Sequence, residues 1–180
     1  MTDGGPTPEF TDRSGVRGRV TVQLIPLGAT EWQRLRSIRR RALRDSPDAF
    51  GSTLEEANGR SAETWSEQLR QLPTVVAVHD GVDVGMARLA HDQTCPGTAW
   101  LISMWVAPVA RRGGVGSALI GAIVERARAE GITRLLLDVA DDNAAAIALY
   151  EMHGFAANGE TGSLPPPRAH IREHQRERRL

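Results

Sequence analysis

The run Met104-Trp105-Val106-Ala107-Pro108-Val109-Ala110-Arg111-Arg112-Gly113-Gly114-Val115-Gly116-Ser117-Ala118-Leu119-Ile120 passes from a strand pattern through a Gly/Arg turn into a helix. Gly113, Gly114 and Gly116 lack a Cβ, so this turn can adopt positive φ values and come close to a bulky phosphate group. The first N–H groups of the following helix have no intrahelical partner. With the positive end of the helix dipole, they would point at that phosphate. The segment therefore predicts an anion site built from backbone, between a strand and a helix.

Several phosphate loops share a glycine-rich turn, and residue chemistry separates them. A Walker-type loop needs a lysine after its last glycine to reach the outer phosphates, and all 22 basic residues of this chain are arginine. The dinucleotide fingerprint needs a glycine or alanine three residues after Gly116, where Leu119 stands. Asp138, at the end of the next apolar run, mimics the ribose-binding acid and keeps that reading as a minor rival.

What is left is Arg-x-x-Gly-x-Gly, Arg111 to Gly116, directly after a strand ending Met-Trp-Val-Ala-Pro. A second stretch holds Leu136-Leu137-Asp138-Val139, then Asn143, then Ala146-Ile147-Ala148-Leu149-Tyr150-Glu151, then Gly154-Phe155. In both motifs, in their order and in their spacing, the chain resembles the Gcn5-related N-acetyltransferases (GNAT family), over roughly Val20 to Leu180. In that family the glycine loop holds the pyrophosphate of acetyl-CoA. The resemblance implies an α/β fold, with a mixed, largely antiparallel central sheet flanked by helices in a single domain.

Bulk properties agree with one domain, since 180 residues suffice for one buried core and are too few for two ordinary ones. Apolar content of 41% with 24% charged residues fits a globular protein, and no apolar run is long enough to span a bilayer. With no signal-peptide pattern at the N-terminus, a cytoplasmic location is expected. Formal net charge is zero, which argues against a nucleic-acid footprint. Arginines do cluster, at Arg34, Arg36, Arg39, Arg40, Arg41 and Arg44 and again at Arg168, Arg172, Arg176, Arg178 and Arg179. Spread around a helix, they read chiefly as solvated surface. Cys95, the one cysteine, lies in a turn away from any base and reads as a loop residue.

Residues 1–18 hold few apolar side chains and read as a disordered tail, leaving residues 19–180 as the folded domain. Val20, Val22 and Leu24 alternate as a strand. Thr30 is positioned to cap a helix that runs to about Leu43, ended by Asp45-Ser46-Pro47. Ser61 or Ala62 to Leu72 reads as a second helix. Val75 to Val78 and Val84 to Ala90 form a hairpin across His79-Asp80-Gly81, and Trp100 to Val106 is the strand that enters the glycine loop. After the helix that ends at Gly131 comes a nearly continuous apolar strand, Leu135 to Val139. Asp141 or Asp142 is expected to cap the last helix, which Gly154 stops. The closing segment, His170 to Arg179, is dominated by Arg, Glu, His and Gln, so its identity as a strand is open.

Acetyl transfer to an amine needs a held co-substrate, a polarised carbonyl, a neutral amine and a proton for the departing thiolate. The resemblance assigns the cradle to Arg111, Arg112, Gly113, Gly114, Val115, Gly116 and Ser117. It places the pantetheine arm and the thioester carbonyl along the backbone of Met104, Trp105 and Val106. Asn143 matches a cofactor-contacting asparagine, though a helix cap explains it equally well. Tyr150, the one tyrosine, matches the usual general acid. Trp100 falls where many relatives carry a glutamate base. His79, His91 and Asp92 are the remaining candidates for that role. The implied activity is an acetyl-CoA-dependent N-acetyltransferase acting on a small-molecule or peptide amine, with no metal, nucleic acid or membrane partner and a homodimer left open. A non-catalytic acyl-CoA sensor is the alternative.

Overall fold

The computed structural model describes residues 21–180. The tail expected over residues 1–18 and the Val20 end of the first strand lie outside the described residues. The order is β1 (Gln23–Pro26), α1 (Trp32–Asp45), α2 (Leu54–Gly59), α3 (Ala62–Gln71), β2 (Thr74–His79), β3 (Val82–His91), β4 (Thr98–Val106), α4 (Val115–Ala129), β5 (Arg134–Ala140), α5 (Ala144–Met152), β6 (Ala156–Ser163) and β7 (Arg172–Arg179). The strands form one sheet in the order β1-β2-β3-β4-β5-β7-β6. Neighbours are antiparallel except β4 and β5, which are parallel.

Local chemistry explains most boundaries. In α1, Leu35, Ile38, Ala42 and Leu43 are buried, as the helical period requires. Thr30 does not cap it but sits in a short 3-10 turn, where the Gly28 N–H donates to Glu31 Oε2 at 2.8 Å. Helix α2 escapes periodicity because it is only six residues long, but it carries a capping box. Thr53 Oγ1 accepts from the Glu56 N–H at 3.1 Å, and Glu56 Oε2 accepts from the Thr53 N–H at 2.9 Å, so two orphan donors are satisfied reciprocally. At the β2–β3 turn Asp80 and Gly81 have φ of 48° and 76°, the pair of positive values that matches the twist of a tight hairpin.

The polar closing segment is a strand, and an interior one. β7 pairs with β5 from Arg134↔Arg179 to Ala140↔Glu173 and with β6 on its other side. Backbone pairing on both edges needs no apolar side chains, which is why the composition of this strand hid it. Its one buried residue, Arg176, donates to Glu151 Oε1 of α5 at 3.0 Å. Several arginines are thus not solvated surface. Arg34 forks onto Asp83, with contacts at 2.6 and 2.9 Å. Arg39 is 6% exposed, and Arg41 donates to the Asp83 carbonyl at 2.7 Å while lying over the Trp105 ring.

Helix α4 packs on β3 with Val115, Leu119, Ile120, Ile123, Val124 and Ala127 buried. Its first turn sits close to the sheet because Gly85 of β3 has no side chain. A Cβ there would meet Leu119 Cδ1 at 2.9 Å, the Trp105 carbonyl oxygen at 3.1 Å and Val115 Cγ1 at 3.2 Å. Two of these are apolar and one is backbone, so the clash cannot be relieved by one rotamer change. Gly85→Ala is expected to destabilise the fold by about 1–3 kcal/mol, the usual cost of overpacking, read as a lowered Tm and denaturation midpoint.

Candidate active site

Parallel strands β4 and β5 pair only over Thr98↔Arg134, Ala99↔Leu135 and Trp100↔Leu136. Beyond Trp100 the strands part. β4 continues beside β3, but its register slips between Ile102 and Trp105 opposite Met86 and Arg88, and Ser103 has a φ of 55°. An extra residue in one strand bends and twists it away from its neighbour. β5 meanwhile continues to Ala140 beside β7. A gap opens between two strands that are each paired on their far edge.

The glycine turn closes one end of this gap. Gly114 has a φ of 87° and is the N-cap of α4, while Arg112 has a φ of 65°. The left-handed conformation thus falls on Gly114 and Arg112. Gly116 serves differently from the sequence expectation: it is helical, and a Cβ on it would meet Leu149 Cδ2 at 2.8 Å, so its lack of a side chain admits α5 rather than a phosphate. Arg111 is drawn inward. Its Nε donates to the Val106 carbonyl at 3.0 Å and its Nη2 to Asp45 Oδ2, which also accepts from the Trp105 indole at 2.9 Å. Burial works to raise the Asp45 pKa, but the hydrogen bonds from Trp105 and Ser46 and the Arg111 charge outweigh it and hold the carboxyl below its usual range.

Two cavities meet in the gap. The larger, about 840 Å³, is lined by Met104, Trp105, Val106, Arg111, Arg112, Gly114, Gly116, Ser117, Asn143 and Tyr150, among others. These are ten of the twelve expected site residues; Gly113 and Val115 are buried within the turn. The smaller, about 400 Å³, lies toward Trp100, Phe50 and α3. Ala49, Phe50, Met104, Asp138, Tyr150 and Glu173 line both, so the junction holds one phenol and two carboxyl groups.

Tyr150 is 7% exposed and packs edge-on against Phe155 with ring centroids 5.9 Å apart. Burial pushes its phenol well above its ordinary range. Asp138 projects from β5, its pKa raised by burial against a hydrogen bond from Gln175. Glu173, from β7, is raised by burial and then by the negative charge of Asp138. Sequence reasoning did not place these two as acid–base groups. Asp138 stood in a quoted motif but was weighed as a ribose ligand, and Glu173 lies on a strand with no pattern to reveal it.

The candidate bases named from sequence do not reach the junction. His79 Nδ1 lies 2.9 Å from the Thr21 carbonyl oxygen, and His91 Nε2 lies 2.8 Å from Glu130 Oε2. Asp92 accepts from the Thr94 hydroxyl and N–H, the Trp100 indole and the Cys95 N–H, and these bonds hold its carboxyl far below the usual range. It organises a loop. Asn143, not Asp141 or Asp142, is the N-cap of α5, its Oδ1 accepting from the Ala146 N–H at 3.2 Å. The cap uses the side-chain oxygen, and Asn143 also lines the larger cavity. Among the described residues there is no group of three His, Cys, Asp or Glu side chains suited to a metal ion, and no helix long and apolar enough to cross a membrane.

Comparison with known proteins agrees with this geometry. Residues 32–155 match the acetyltransferase (GNAT) family. The chain is 35% identical over 136 residues to an IAA acetyltransferase of Azospirillum brasilense, covering 68% of this chain and 88% of that protein. A ribosomal-protein-alanine N-acetyltransferase from Brucella melitensis shares the fold, with a TM-score of 0.72 at 24% identity over 88% of this chain and 99% of that one. So does a Salmonella typhimurium protein solved with its cofactor acetyl-CoA, at TM-score 0.70 and 20% identity, over 89% and 94% of the two chains. The chain belongs to the acetyltransferase (GNAT) family and is an acetyl-CoA-dependent N-acetyltransferase.

Proposed function

We propose that the larger cavity receives acetyl-CoA, the smaller one the acceptor amine, and that transfer takes place where they meet. The single observation that carries this reading is the shared lining, because a direct attack needs both reactants open to one another at one set of proton-handling groups. The larger cavity suits the co-substrate. It is lined by the N-terminus of α4, whose orphan N–H groups and dipole favour a pyrophosphate, and by residues of both strands that border the gap. When bound, acetyl-CoA supplies the thioester carbon that the amine attacks.

The residues divide the remaining tasks. The backbone from Arg112 to Ser117 holds phosphate, with Arg112 free to add a charge-assisted contact. Arg111 acts as a brace: by tying the Val106 carbonyl to Asp45 it fixes the strand end whose N–H groups, from Met104 to Val106, polarise the thioester carbonyl. Asn143 offers its amide to the arm while capping α5. Tyr150 donates a hydrogen bond, and then its proton, to the sulfur as the C–S bond breaks. Asp138 or Glu173 takes the proton from the incoming ammonium, a base that Trp100 could not provide. Their raised pKa values make them better proton acceptors than ordinary carboxylates. The acceptor is a primary amine of a small molecule or peptide, and residues 19–180 make up the catalytic domain. We place the reaction in the cytoplasm, where acetyl-CoA is available.

Three measurements test this reading. Calorimetric titration is expected to show acetyl-CoA binding that falls at least about tenfold in Gly114→Asp, which sets a carboxylate in a left-handed position at the helix N-terminus; undiminished affinity would remove the phosphate from this turn. Tyr150→Phe is expected to lower kcat by about 10²–10⁴ with acetyl-CoA affinity retained, the usual range for a lost general acid. The carboxyls carry a stability signature. Because Asp138 and Glu173 have raised pKa values in the fold, the folded chain binds more protons than the unfolded one just above the ordinary carboxylate range. Stability therefore falls as pH rises through that window. Asp138→Asn and Glu173→Gln should each raise Tm at pH 7 relative to pH 4, while at least one of them lowers transfer.

A further inference from the structure

The acceptor cavity is walled in part by three guanidinium groups. Arg39 of α1, Arg88 of β3 and Arg60, which follows α2, all line it. Arg39 and Arg88 are 6% and 4% exposed. Buried cations are ordinarily paired with an anion. Among the described residues, however, no carboxylate lies within 4.0 Å of any of the three.

Their partners are neutral. Arg39 Nη2 donates to Ser52 Oγ at 2.8 Å and its guanidinium lies 4.3 Å from the centre of the Phe50 ring, while its Nη1 is buried with no acceptor among the described residues. Arg88 donates to Thr74 Oγ1 at 3.1 Å, to the Gln68 carbonyl at 3.0 Å and to Gln68 Oε1 at 3.4 Å. Arg60 lies over the Trp65 ring. The three also act on one another: burial, then the charges of Arg88 and Arg60, push Arg39 down to about 9, and burial, then Arg60, push Arg88 down to about 10. Arg39 and Arg88 both remain charged near neutral pH. A cluster of like charges held in a low-polarity wall without a counter-ion is costly, and an anion entering the cavity relieves that cost.

The same cavity is also lined by Tyr150, Asp138 of β5 and Glu173 of β7, and these strands lie two and three places along the sheet from the β3 that carries Arg88. Groups of opposite charge thus line one space of about 400 Å³ from separate strands of the sheet. Resting on the reading that this cavity receives the acceptor, we propose that the acceptor is a small amine that also carries a carboxylate, held with its carboxylate on Arg39, Arg88 and Arg60 and its amine toward Asp138, Glu173 and the thioester. The arginines orient as well as bind. A substrate that is cationic at one end and anionic at the other enters amine-first toward the acidic groups, since the reverse places like charges together.

The test uses matched pairs, each free amino acid beside its carboxamide, with rates compared per neutral amine because amidation removes the anion and also lowers the amine pKa. Thiol release at saturating acetyl-CoA is followed for the wild type, Arg39→Met, Arg88→Met and Arg39→Lys, with Tm measured for each to establish folding. In the wild type, kcat/KM for the accepted acids should exceed that for their amides roughly tenfold to hundredfold, the range of a charge-assisted contact. The gap should shrink toward unity in both methionine variants, mainly through KM, and partly return in Arg39→Lys. Amides accepted as well as acids, or a gap that survives both methionine changes, would overturn the proposal.

If no member of the panel is acetylated, calorimetry with the N-acetyl amino acids and the N-acetyl amino-acid amides reads the same cavity without turnover. Binding that needs the carboxylate and is lost in Arg39→Met supports the assignment; no carboxylate-dependent binding overturns it. Failure of the underlying reading shows separately, as loss of acetyl-CoA binding in the wild-type protein.

Discussion

The parting of β4 and β5 after Trp100 and Leu136 is the constraint on which the rest depends. An open gap inside a sheet leaves backbone groups unpaired, a cost that compact proteins avoid. Here it is tolerated because each strand keeps its other edge, β4 with β3 and β5 with β7. The bulge at Ser103 turns β4 aside, and β7, inserted between β5 and β6, keeps β5 straight where its former neighbour leaves. Without the polar strand β7, β5 would be a bare edge along the cavity.

Around the gap, rigidity comes from a few polar contacts that cross between elements. Asp45 at the end of α1 gathers Trp105 of β4 and Arg111 of the glycine turn onto one carboxylate, and Arg111 returns to the Val106 carbonyl. This fastens the lining of the larger cavity to the helix beneath the smaller one. Arg168 does the same on the opposite side, donating to the carbonyls of Pro47 and Gly51 and so holding the segment before β7 against the loop after α1. Charged side chains, which composition alone would send to the surface, are here the links between layers. They position the junction lined by Asp138 of β5, Tyr150 of α5 and Glu173 of β7.

How much of this was legible in the chain varies with the kind of signal. The glycine turn, α4 and the hairpin were readable because their cues are local: a positive φ demands glycine or a small polar residue, and a helix announces its buried face every three or four residues. Tyr150 was readable through its neighbours in a motif. Helix α2 was too short for a period, and Asn143 was split between two roles because both use the same residue type. Gly116 was misread since sequence shows that a side chain is missing but not what occupies the space, here Leu149.

The sequence by itself determined the family and the strand–turn–helix around Gly114, because each is written within a run of contiguous residues. Only the tertiary structure decided that Asp138 and Glu173 share a junction with Tyr150, that the polar tail is an interior strand, and that Arg39, Arg60 and Arg88 line one cavity without a carboxylate partner among the described residues. Those groups are separated by tens of residues along the chain. Their meeting depends on strand order and register, and on burial that raises a carboxyl or strands a cation, and none of these has a local cue in the amino-acid pattern.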